Sequence, residues 1–185
     1  IEQSVHQMVV SDDFVVIVDT AFVVELEALL GDSTMRAQSP ETVIWVIRRD
    51  DLVSSAESVT ATRVQIPLEV THLSCDPANP GGEITLHLGH TPAADASEFV
   101  EFGDVTFDGQ VVRNDLVGLP AAPSDLGAVG RLRINGYTGQ VLEHTITRDE
   151  RLWGGPALCT APPADETGRV RHQYWASLGI SPEIR

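Results

Sequence analysis

The chain has 185 residues, enough for one domain with a proper hydrophobic core, and its 12 basic residues face 27 acidic ones for a net charge of -15. Every basic residue is arginine, so a lysine Schiff base, a P-loop lysine and lysine acid–base chemistry are excluded. A surface this negative repels polyanions, which argues against nucleic-acid binding through phosphates.

From the N-terminus, Val5–Val10 and Phe14–Val18 read as short strands separated by Ser11-Asp12-Asp13. Thr20–Leu30 fits a helix capped by Asp19 or Thr20 and closed by Gly31, or a strand alternating Phe22, Val24, Leu26 against Glu25 and Glu27. Its β-branched content favours the strand. Asp32–Glu41, with Pro40, is a loop. Val43–Ile47 is apolar at every position and bounded by charge, which predicts a central strand buried on both faces.

The clearest alternation follows. Val64, Ile66, Leu68 and Val70 are apolar between polar Gln65, Glu69 and Thr71, and Pro67 on the polar parity marks an edge strand or a bulge. Ile84, Leu86 and Leu88 repeat the pattern beyond the Pro- and Gly-rich loop Asp76–Gly82, predicting an antiparallel pair across it. Within this unit His72, Cys75, His87 and His90 have the spacing H-x2-C-x11-H-x2-H, and imidazole and thiolate are donors that Zn²⁺ prefers. His87 and His90 have opposite strand parity, so both reach one ion only if the strand ends near Gly89. The simpler reading is one core histidine, a half-buried cysteine and two surface histidines, with no cofactor. Cys75 and Cys159 are either one disulfide or two thiols.

Thr91–Ser97 is a small-residue loop. Asp108-Gly109 and Asn135-Gly136, each between strand-like runs, are type I′ hairpin tips, and Gly139 is placed as a bulge because the apolar parity beyond it moves to Leu142 and Ile146. His144 shares that parity, as a buried histidine or as a general base inside a barrel. Leu119–Gly130 is a long surface connection and Trp153–Asp165 an irregular wrap. Val170–Leu178 reads as a short helix, with Gly179 and Ile180 completing a Schellman motif.

These elements predict an all-β fold: an antiparallel β-sandwich or jelly-roll-like barrel over residues 1–165, with a C-terminal helix and tail over 166–185. No apolar run is long enough to cross a bilayer, and no basic n-region or cleavage signal of a secretory peptide is visible, so a virion or cytoplasmic location is expected.

No nucleophile elbow, P-loop, dinucleotide fingerprint or H-E-x-x-H motif occurs, and the acidic doublets Asp12-Asp13, Asp50-Asp51 and Asp149-Glu150 have the character of turns. Residues 1–130 hold 5 Arg and 21 Asp or Glu, whereas residues 131–185 hold 7 Arg and 6 Asp or Glu. An acidic body joined to an arginine-bearing third suits head-to-tail association, with Arg169, Arg171, Tyr174 and Trp175 as the contact; chance unevenness on a solvated surface is the plain alternative. The expectation is a non-catalytic structural or interaction subunit of a larger assembly, a homo-oligomer or one of several protein subunits. A phage virion accessory or tail component is its concrete form. A small-molecule-binding β-barrel such as a cyclase is the first alternative, and the Zn²⁺ domain the second.

Overall fold

Four strands from the first part of the chain and four from its middle form two antiparallel sheets that share one core. The computed structural model describes residues 5–19, 41–53, 55–92, 99–105, 109–119, 127–148, 156–160 and 163–177, with backbone alone at 6 and 156–160. In the first sheet β1 (Val5–Val10), β2 (Phe14–Asp19), β3 (Glu41–Arg48) and β4 (Thr62–Pro67) pair in chain order. In the second, β5 (Val70–Cys75), β6 (Glu83–His90), β7 (Ala128–Asn135) and β8 (Val141–Arg148) do the same. β9 (Pro156–Thr160) lies against β5 and β6 and pairs with β10 (Tyr174–Ser177) as a separate ribbon. The described strands therefore make a β-sandwich of two meanders. Among the described residues no helix is long and apolar enough to cross a membrane.

Alternation creates the core. Phe14, Val16 and Val18 of β2, Ile44 and Val46 of β3, and Val64 and Ile66 of β4 point inward. They meet Val70 and Leu73 of β5, Ile84, Leu86 and Leu88 of β6, and Leu132 and Ile134 of β7. Each is at most a few per cent exposed, and burying such a side chain contributes roughly 1.5–3 kcal/mol before conformational entropy is subtracted.

The most regular stretch of the sequence divides between the sheets. Residues 64–70 do not form one strand paired with 84–88. Instead β4 pairs with β3 and ends at Pro67, and β5 begins at Val70 and pairs with β6. Leu68 takes the break with φ of 67°, a left-handed conformation that side chains rarely adopt. The buried Thr42 hydroxyl braces it, donating to the Leu68 carbonyl and accepting from the Val70 N–H, both at 2.8 Å. Pro67 does lie on an edge strand, β4, as its missing N–H requires.

Four other expectations are corrected. The segment Trp153–Asp165, expected as an irregular wrap, contains the strand β9, whose backbone pairs with β10. β3 is central but buried on one face only, with Val43, Trp45 and Ile47 half-buried on the other, since one packed layer faces each sheet. Tyr174–Ser177 is a strand rather than part of a helix, because pairing with β9 supplies its backbone partners. The β7–β8 connection is Gly136–Gln140: Gly139 has the positive φ, Gly136 does not, and Leu142 is the extra residue where the register slips. Asn135 organises that turn, its side-chain oxygen accepting from the N–H groups of Tyr137 and Thr138. Val105 and Val111 bridge antiparallel with a positive-φ Gly109 between them, so the chain reverses there, but a two-residue tip at Asp108-Gly109 would pair Val105 with Val112; 106–108 lie outside the described residues, as do Thr20–Leu30 and the chain beyond Ser177.

Candidate functional site

The chemistry-bearing side chains gather on the second sheet, on both of its faces. β5 is the hub. Its odd positions are tied to β1: the Gln7 amide donates to the Leu73 carbonyl and accepts from the Leu73 N–H, each at 2.9 Å, and the Cys75 thiol donates to the Val10 carbonyl. Ser74 and Asp76, the residue just after β5, are tied to the C-terminal segment: the Ser74 hydroxyl donates to Gln173 Oε1 at 2.7 Å, and Asp76 Oδ1 accepts from the Val170 N–H at 3.0 Å. Gly168 approaches Ala78 so closely that a Cβ there would lie 2.3 Å from the alanine methyl.

Asp76 also meets His87 of β6, with Oδ1 3.0 Å from Nε2 and both side chains largely shielded from water. Ser74 stands across from His87 in the β5–β6 register, so serine, histidine and aspartate share one outer face. The composition is that of a hydrolytic triad, but the roles differ. The serine proton points to Gln173, and His87 presents Nε2 to the carboxylate. This cluster fastens the C-terminal segment to the sheet.

The four residues with zinc-like spacing are not gathered around one point. His87 is on the outer face with Asp76, His90 is fully buried on the core face, and His72 is half-buried opposite Gly89. Cys75 is a free thiol whose pKa is pushed up to about 11 by burial and by the Asp76 charge, so it stays protonated near neutrality. Among the described residues no group of three or more His, Cys, Asp or Glu is arranged to hold an ion. Parity is the reason: residues three apart on a strand point to opposite faces.

His90 instead meets His144. Their ring centres are 5.7 Å apart at 44°, across the core face of β7. His90 stands opposite Ala128, His144 opposite Leu132, and between those rows β7 carries Gly130. A Cβ on Gly130 would come within 2.5 Å of His90 Nε2, so the glycine makes room for the ring. His90 Nδ1, His90 Nε2 and His144 Nε2 are buried without a well-formed hydrogen bond. Burial, the neighbouring His144 and Arg148 pull the His90 pKa down to about 4, against a weaker opposing pull from the Glu69 carbonyl. Burial lowers that of His144 as well. His144 had a sequence signal, its apolar parity; nothing local linked it to His90.

The arginines of the last third are partly neutralised within the chain. Arg133 bridges Glu83 at 2.6 Å and Glu143 at 2.8 Å, holding both carboxyls below their usual range, and Arg171 pairs with Asp165. Arg169 and Arg171 are exposed, Tyr174 is 59% exposed and Trp175 half-buried. A second surface escaped the sequence reading. Between β6 and β7, residues 99–119 expose Phe99, Phe102, Val105, Val111, Val117 and Leu119, with Phe102 at 80%. No family model, curated protein or solved structure matches the chain.

Proposed function

We propose that this chain is a non-catalytic subunit of a protein assembly, contacting further copies of itself through residues 99–119. The carrying observation is that the described residues of this excursion have a hydrogen-bonded backbone and outward apolar side chains. The Val100 N–H donates to the Leu119 carbonyl, the Gly118 N–H donates to the Val100 carbonyl, and the Val112 N–H donates to the Asp104 carbonyl. None of its described residues is buried. Single exposed apolar residues are ordinary, whereas six within one excursion suit a contact surface.

The complementary face is Tyr174 and Trp175 with Arg169, opposed to Glu101 and Asp104 of the apolar excursion, where Asp115 is already paired with Arg113. Arg171 is already paired with Asp165, so the charge contribution rests on Arg169. Two different patches meeting head to tail give a ring or a filament. A phage virion accessory or tail component is the concrete form of this reading.

Light scattering over a concentration series tests this. Phe102→Ser and Tyr174→Ser should each shift the chain toward monomer with an unchanged circular-dichroism spectrum, and association should weaken as salt rises, since exposed charges are screened over about 10 Å at 0.1 M. A wild-type chain that is monomeric at every concentration and salt overturns the reading.

A further inference from the structure

We propose that His90 and His144 together hold one late first-row transition-metal ion at the end of the sandwich core, over Gly130. Three ring nitrogens are buried there without a well-formed partner, in a core where other buried polar atoms are paired, as those of Thr42 are. A buried polar atom of this kind calls for an ion or a water, and paired imidazoles favour Zn²⁺ or copper over the oxygen-seeking cations.

The geometry fits. With metal–nitrogen bonds of about 2.0–2.1 Å, two imidazoles on one ion hold their ring centres roughly 5–6 Å apart. The observed separation is 5.7 Å. A side chain at Gly130 would collide with His90 Nε2, so the glycine is what lets the ring lie against β7 and reach His144. Half-buried His144 belongs to β8, the edge strand of its sheet, which gives the ion a way in from solvent. Two side-chain donors leave the other coordination positions to water. Arg148 repels a cation, so the ion exchanges more readily than one in a four-ligand structural site.

The test is calorimetric titration of chelator-treated protein with Zn²⁺ alone. One equivalent should bind, and His144→Gln and His90→Leu should each weaken binding by at least about tenfold, while His172→Gln at an exposed position changes nothing. Co²⁺ in place of Zn²⁺ should give visible absorption bands in the wild type that His144→Gln removes. His90→Leu keeps the test informative if the other variant folds poorly, since it puts an apolar side chain in an apolar core. Absence of binding at about 1 mM Zn²⁺ overturns the proposal. So does stoichiometric binding that survives both substitutions, or a water bridging the two rings in a zinc-soaked crystal.

Discussion

Thr42 in the first sheet and His90 in the second are polar side chains fully buried on the inner faces, and the two are treated in opposite ways. In the first sheet, Thr42 has its hydroxyl saturated by the chain crossing from β4 to β5. In the second, His90 is equally inaccessible but has neither ring nitrogen well bonded. Thr42 is explained by the fold, because it satisfies backbone groups stranded at a sheet-to-sheet crossing with a left-handed leucine. His90 is not explained by the fold. A buried polar group that the architecture does not need marks the place to look for a ligand.

The largest expected effect is at the joint between the sheets. A Cβ on Gly136, in the β7–β8 turn, would lie 2.6 Å from Phe14 of the first sheet and 2.9 Å from Ile84 of the second. Gly136→Val should therefore destabilise by about 3 kcal/mol in urea unfolding, through overpacking and not through backbone strain. A loss below roughly 0.5 kcal/mol would mean that the two inner faces do not meet there.

The two polar residues come next. Thr42→Val leaves the Leu68 carbonyl and the Val70 N–H without their partner and should cost about 2 kcal/mol. His90→Leu in metal-free protein should stay within about 1 kcal/mol of neutral, since it deletes two unpaired atoms and creates no new one. Equal losses from both substitutions would erase the contrast between the sheets.

The smallest effect concerns the seam between them. A Cys75 thiol with a pKa near 11 should react with iodoacetamide at pH 8 roughly a hundredfold more slowly in the folded chain than in denaturant, read at that residue by mass spectrometry. Its pKa is raised above the ordinary value of 9, so its contribution to stability is complete below pH 9 and is lost as pH rises through 11. Rapid alkylation of the folded protein would show that the link from Cys75 to Val10 does not hold.

Much of the strand inventory was legible in the sequence. Phe14–Asp19, Glu41–Arg48 and Glu83–His90 follow apolar patterning, Pro67 declared an edge, and Asp108-Gly109 marked a reversal. Short Tyr174–Ser177 misled, because four residues sample both periods and the neighbouring strand decides. The break at Leu68 was hidden, since the alternation runs unbroken through it while the chain changes sheets. The bulge at Thr71, where the β5–β6 register slips, resets the parity so that Val70 and Leu73 both face the core.

Sequence by itself determined which residues avoid water, hence the strands, the acidic surface and the inward parity of His144. Only the tertiary structure decided that His144 faces His90, that Gly130 leaves them room, and that His87 belongs with Asp76 instead. The reason is physical. Alternation records each residue's relation to solvent, a property carried along one strand. The meeting of two histidines depends on the register of β6, β7 and β8, which hydrogen bonding and core packing fix between strands far apart in the chain.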